Sequence, residues 1–127
     1  TLLASSAASD VYKRQDYEFY PQALEHVIRK THEEFDKAGS QDMPIMVTEN
    51  GIATEDDSRR VAFIDEATKG IAACIADNIP VIGYCHWSLM DNFEWQKGFS
   101  MKFGLIAVDR STMKRIPKES LFFLGQL

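Results

Sequence analysis

The sequence holds only two cysteines, Cys74 and Cys85, and three histidines. Two cysteines do not make a disulfide framework, so both are expected as buried free thiols in a reducing, cytoplasmic compartment. No ligand-like spacing links them to His26, His32 or His86, which leaves no metal and no other cofactor to expect. Long apolar runs are missing as well. None approaches the roughly 18 residues of a membrane span, so no membrane partner is expected. Positive charge is scarce: 14 Lys and Arg face 19 Asp and Glu, for a net charge of −5. Nucleic acid needs a clustered basic surface and is not an expected partner.

What is present is ordinary for a globular protein. Apolar residues make up 45% and charged residues 26% of 127 positions, enough for one domain with a modest core. Residues 1–15 (TLLASSAASDVYKRQ) stand apart. They show no sustained periodicity and no order of charged, apolar and cleavage regions, so a secretory signal is not expected. They resemble translated adapter sequence and are expected to be non-native or loosely held. The native chain, 16–127, is then expected to begin near Asp16 and to be truncated on its N-terminal side.

Along that chain, Pro21 suits a helix start, and Leu24, Val27, Ile28 and Phe35 keep helical spacing up to Gly39. Residues 45–48 form a short apolar run behind Pro44 and read as a buried strand. Thr54 to Ser58 is a polar turn with Asp57 and Ser58 as capping candidates. Val61, Ile64, Ala67, Ile71, Cys74 and Ile75 mark a second amphipathic helix, ended by Asn78 and Pro80. Val81 to Trp87 reads as a second buried strand. Helix, strand, helix, strand with short linkers predicts a parallel α/β fold. Residues 88–102 lack a clear period, 103–108 suggest a short strand, 109–112 a turn, and Pro117 a final helix through Leu121, Phe122 and Leu124. Asp56, Asp57, Arg59 and Arg60 read as a solvated helix start.

Two constellations carry chemistry. Val47-Thr48-Glu49-Asn50-Gly51 ends an apolar strand in a carboxylate and a turn. A charge at that position costs free energy unless it is paired or used. Glu49 therefore reads either as a nucleophile or general base, or as a structural carboxylate paired with an arginine. Residues 86–95, His-Trp-Ser-Leu-Met-Asp-Asn-Phe-Glu-Trp, follow the second strand directly. Their aromatic faces suit the C–H faces of sugar rings, and their carboxylates suit neighbouring hydroxyls, a make-up found in small-ligand pockets. The alternative is a core corner in which Trp87 and Trp95 only pack.

Taken together, VTENG, HWSLMDNFEW, Phe103-Gly104-Leu105-Ile106 with Val108-Asp109, and Arg115 with Pro117-Lys118 and Ser120 resemble glycoside hydrolase family 1. That is the β-glucosidase type of retaining (β/α)8 barrel, and the resemblance covers about Tyr17 to Leu127. It implies the C-terminal portion of such a barrel: the last two strands and their flanking helices, since a whole barrel takes roughly 250 residues. It implies that Glu49 is the catalytic nucleophile. Trp87, Glu94, Trp95 and Phe103 would bind the sugar, Glu94 through its outer hydroxyls and Trp95 through its indole N–H. A cis peptide after Trp87 is also implied. Strict alternation along the strands would then turn Ile45, Val47, Val81, Gly83, Cys85 and Trp87 into the barrel with Glu49. Tyr84 and His86 would face the helix layer, with His86 packed and hydrogen-bonded, and His26 and His32 would be plain helix residues.

The substrate implied is a small carbohydrate, a β-glucoside or β-galactoside. Glu94-Trp95 speaks against the phosphosugar branch of the family. Lys102 and Phe99 depart mildly from the family pattern, where arginine and tyrosine are common. The family's acid/base lies in an Asn-Glu-Pro motif that does not occur here, so the chain is expected to need the remainder of the barrel and to be inactive and poorly stable alone. Two other readings remain: a non-catalytic sugar-binding protein on the same scaffold, and a small standalone α/β structural or interaction domain.

Overall fold

A computed structural model describes residues 18–127; the expectation for residues 1–15 lies outside the described residues. Helix α1 (Ala23–Lys37) follows Pro21, with Glu25 in its first turn and Lys37 in its last, an arrangement that complements the helix dipole. It ends where Gly39 adopts φ 72° and the Ser40 N–H donates to the Phe35 carbonyl at 2.8 Å. That bond pattern is a Schellman-type stop, which favours glycine at the left-handed position. Strand β1 (Ile45–Asn50) comes next, then α2 (Asp57–Ala76) and β2 (Val81–His86). Asp56, rather than the expected Asp57 or Ser58, caps α2. Its carboxylate accepts from the Ser58 N–H at 3.0 Å and the Ser58 hydroxyl at 2.7 Å.

β1 and β2 pair in parallel, as the helix–strand alternation predicts. Their outer face carries the core. Ile28, Val47, Ile71, Cys74 and Ile79 form one buried cluster, with Leu24, Ile45, Val81 and Tyr84 packed against it. This corrects the expected orientation of Ile45, Val47 and Val81, which lie against the helices and not on the open face with Glu49. The cause is two register irregularities, one between Ile45 and Met46 and one between Val47 and Asn50. An extra residue on one strand of a pair resets which face the following side chains take. Gly83 stays on the open face beside Met46. Cys85 is exposed rather than buried, while Cys74 is buried; Cys85 lies on the strand face turned away from the core cluster.

Beyond β2 the Trp87–Ser88 peptide is cis. A three-residue 3-10 turn spans Trp95–Lys97, and β3 (Ile106–Val108) pairs antiparallel with β4 (Arg115–Pro117). The predicted strand at 103–108 is thus shorter, and Pro117 closes a strand instead of opening a helix; α3 runs Glu119–Leu124. The β3–β4 connection is fixed by Asp109, whose carboxylate accepts from the Ser111 N–H at 2.9 Å and from the Ser111 and Thr112 hydroxyls at 2.7 Å. These bonds favour the charged form and hold the Asp109 pKa down at about 2. One further expectation fails at the start of α2. Arg60 is not solvated but fully buried, because its guanidinium meets backbone carbonyls and Asp57 inside the fold.

Candidate active site

Glu49 reaches its position through local backbone chemistry. Val47 must bury its side chain against the helices, and two residues later the same parity would bury Glu49 there too. The irregularity between Val47 and Asn50 breaks that parity. Asn50 then points back toward the core, where its Oδ1 accepts from the Tyr84 hydroxyl at 3.1 Å, and Glu49 is left exposed at the strand end. Gly51 permits the next step. A Cβ there would lie 1.9 Å from the Trp87 carbonyl oxygen, so only glycine lets the two strand ends approach this closely. The Trp87 N–H donates to the Asn50 carbonyl at 2.9 Å.

Tyr84 and His86 lie on the core side of β2. The Tyr84 hydroxyl lies 3.3 Å from His86 Nδ1, in keeping with a packed, hydrogen-bonded histidine facing the helix layer. Burial lowers the His86 pKa to about 4, the nearby Arg60 charge acts in the same direction, and the Phe103 backbone and Asp57 oppose it. His86 is therefore neutral at neutral pH. Burial also pushes the Tyr84 hydroxyl well above its ordinary value.

The segment after Trp87 is tied down by Asp91. This buried carboxylate accepts from the Gly104 N–H at 2.8 Å and from Lys118 Nζ at 3.2 Å, while Lys118 also donates to the Gly104 carbonyl at 2.6 Å. Arg110 donates to the Asp91 carbonyl at 2.6 Å. Burial lowers the Lys118 pKa, helped by the Arg60 charge and opposed by Asp91. The Ser88 N–H donates to the Phe103 carbonyl at 3.2 Å and the Leu105 N–H to the Ser88 carbonyl at 2.9 Å. Trp87 and Phe103 are thereby fixed as neighbouring walls. Further out, the Glu94 N–H donates to the Gly98 carbonyl at 2.7 Å, and Trp95 takes a φ of 41°, uncommon for a bulky residue. This tight turn leaves the Trp95 side chain 83% exposed.

The result is one open cavity of about 860 Å³ lined by Glu49, Asn50, Gly51, Trp87, Asn92, Phe93, Glu94, Trp95 and Phe103. All five residues singled out from the sequence meet there. Phe103 is buried in its wall at 8% exposure, whereas Trp87 is 40% exposed. Asn92 and Phe93 were not singled out, although they sit inside the same aromatic run; Asn92 is oriented by its Nδ2 donating to Ser88 Oγ at 3.0 Å. Two carboxylates, Glu49 and Glu94, share a space edged by aromatic rings. Such a cavity can hold a small polyhydroxylated ligand, with one carboxylate at a strand end free to attack or to bind. Among the described residues no group of three or more His, Cys, Asp or Glu could hold a metal ion, and no helix is long and apolar enough to cross a membrane.

The model of glycosyl hydrolase family 1 matches residues 5–127. A β-galactosidase of Pyrococcus woesei is 42% identical over 103 residues, covering 81% of this chain and 19% of that protein. β-Glucosidase A of Thermotoga maritima is 34% identical over 120 residues, covering 87% of this chain and 26% of that protein. Among solved structures, the apo form of a β-glucosidase superposes with a TM-score of 0.84 at 50% identity, covering 98% of this chain and 29% of that one. The β-glucosidase from Thermotoga maritima in complex with glucoimidazole gives a TM-score of 0.82 at 31% identity, covering 91% of this chain and 27% of that one. The chain thus spans well under a third of the length of these relatives. Its parallel strand pair and flanking helices are a portion of their α/β barrel fold.

Proposed function

From the premise that the chain belongs to glycosyl hydrolase family 1, we propose that it forms the nucleophile-bearing and sugar-binding part of a retaining β-glycosidase acting on β-glucosides or β-galactosides. The reading rests on one observation: Glu49 stands exposed at a strand end in the same cavity as Trp87, Glu94, Trp95 and Phe103. Strand ends of this kind carry the catalytic groups of α/β barrels.

The chemistry is a double displacement. The Glu49 carboxylate attacks the anomeric carbon, and the bond to the aglycone oxygen breaks. A general acid from the rest of the barrel protonates that oxygen. The same group, now a base, takes a proton from water. The water oxygen bonds to the anomeric carbon and Glu49 leaves as a carboxylate. Glu94 binds outer hydroxyls of the sugar, Trp95 donates its indole N–H, and the Trp87 and Phe103 rings cover its C–H faces. The 127-residue chain alone lacks the acid and does not turn over.

A hybrid tests this, with residues 18–127 replacing the matching segment of the Thermotoga maritima β-glucosidase. Glu49→Gly lowers hydrolysis of a nitrophenyl β-glucoside by roughly 10³-fold or more. Added azide then restores nitrophenolate release by attacking the anomeric carbon in place of the missing carboxylate, and the product is the α-glucosyl azide. A Glu49→Gly hybrid with unchanged hydrolysis, or a β-glucosyl azide as product, removes Glu49 from the nucleophile role.

A further inference from the structure

We propose that Arg60 is a positioning residue of the sugar site: its buried guanidinium fixes the Glu49 strand end relative to the Phe103 wall. The proposal rests on the reading of Glu49 and Phe103 as parts of that site. Arg60 sits in the first turn of α2, a place where a charge is ordinarily solvated, yet it has no exposed surface. Withdrawing a guanidinium from water costs several kcal/mol and is tolerated only with good partners.

Those partners are informative. One terminal nitrogen donates to the Thr54 carbonyl at 2.8 Å and to the Lys102 carbonyl at 2.6 Å. Thr54 lies on the loop that leaves Glu49, and Lys102 directly precedes Phe103. The same Lys102 carbonyl accepts from the Thr54 N–H at 3.0 Å. A single nitrogen thus pins the two segments that carry the lining residues Glu49 and Phe103. The other terminal nitrogen pairs with Asp57. Asp57 in turn accepts from the Ser120 N–H and hydroxyl, each at 2.9 Å, so the clamp is anchored in α3. Ala53, Met101 and Phe103 form a buried cluster that joins the same two segments, and close-packed side chains transmit displacement rather than absorb it. Neither Arg60 nor Asp57 lines the cavity. Arg60 therefore acts through the loop after Glu49 and through Phe103, not on the sugar.

The test uses the hybrid enzyme. Arg60→Met alone strands the Asp57 carboxylate and destabilises the fold, so the informative variant is Asp57→Asn/Arg60→Met. It removes both charges and keeps an acceptor for Ser120. This double variant melts above the single Arg60→Met variant. Its kcat per active site, with sites counted by the burst of aglycone from a 2-deoxy-2-fluoro glucoside, falls about 10- to 100-fold, the size expected of a misplacement near 1 Å. KM changes far less. Arg60→Lys, which keeps one charged donor, recovers part of kcat. Amide hydrogen exchange at Thr54 accelerates, while Val47 and Tyr84 in the strand pair exchange as before. A folded double variant with the wild-type kcat per site overturns the proposal whatever its exchange. If the folded wild-type hybrid fails to hydrolyse, the glycosidase reading is what fails. The clamp is then judged by Thr54 exchange, and an unchanged rate overturns it.

Discussion

Gly51→Ala puts the close approach of the two strand ends to a quantitative test. A methyl carbon at this position would lie 1.9 Å from the Trp87 carbonyl oxygen and 3.0 Å from its carbonyl carbon. Real Cβ atoms essentially never approach below 3.0 Å, so the two backbones must part by about 1.1 Å. Neither side can yield cheaply. The Trp87 N–H is bonded to the Asn50 carbonyl at 2.9 Å, and the Ser88 N–H to the Phe103 carbonyl at 3.2 Å. The strain therefore spreads into Glu49 on one side and the Trp87–Phe103 wall on the other. Overpacking of this kind costs ~1–3 kcal/mol, and a shift near 1 Å lowers turnover by up to about 10²-fold. In the hybrid enzyme, Gly51→Ala is expected to lower the urea midpoint and to cut kcat/KM per titrated site by one to two orders of magnitude. Gly39→Ala is the control. That residue has φ 72° and nothing within 4 Å of its would-be Cβ, so the substitution costs only the left-handed conformation, ~1–2 kcal/mol, and leaves turnover per site unchanged. Wild-type turnover and stability in Gly51→Ala refute the reasoning, as does an equal loss of turnover in Gly39→Ala.

Two further outcomes follow from burial and exposure. His86 has a folded-state pKa of about 4 against an ordinary 6.5, so the unfolded chain takes up its proton first as pH falls. Its contribution to stability is complete above about pH 6.5 and declines as pH approaches about 4, by up to ~3 kcal/mol. Urea unfolding of wild type and His86→Gln at both ends of that window checks it: the variant loses less stability on acidification, and equal losses contradict the assignment. Trp95, 83% exposed, supports little of the fold. Trp95→Ala shifts stability by no more than about 0.5 kcal/mol but raises KM for a β-glucoside roughly 2- to 10-fold through the lost indole hydrogen bond of ~0.5–1.5 kcal/mol. An unchanged KM removes Trp95 from the sugar contacts.

The helix–strand–helix–strand order was readable because apolar spacing and the Pro21, Gly39 and Pro80 punctuation agree along the chain. The orientation of Val47 and Val81 was not, because strict alternation holds no information about where a strand gains a residue. β4 left no signal either: its three residues are all exposed, so it lacks the one-sided burial that alternation reports. Arg60 looked like any charged residue in a first helical turn. Its burial depends on the carbonyl of Lys102, 42 residues away, which no local pattern foretells. The residues of the candidate site were legible for the opposite reason. Glu49 and Trp87 lie at strand ends, where a carboxylate and an aromatic ring are conspicuous against the apolar runs before them, and Glu94 and Trp95 stand out in the aromatic run that follows β2. That Phe103 joins them depends on the Ser88 and Asp91 contacts, which only the fold supplies.

Between Val47 and Asn50, β1 takes three steps where β2 takes two from Tyr84 to His86, so β1 carries one residue more than its partner needs. Removal of Thr48 would leave Glu49 one position and Asn50 two positions after Val47. Plain alternation would then keep Glu49 on the open face and Asn50 toward the core. A library built on length variation would thus find its tolerated single-codon deletion at Thr48, where the strand can shorten without turning its carboxylate inward.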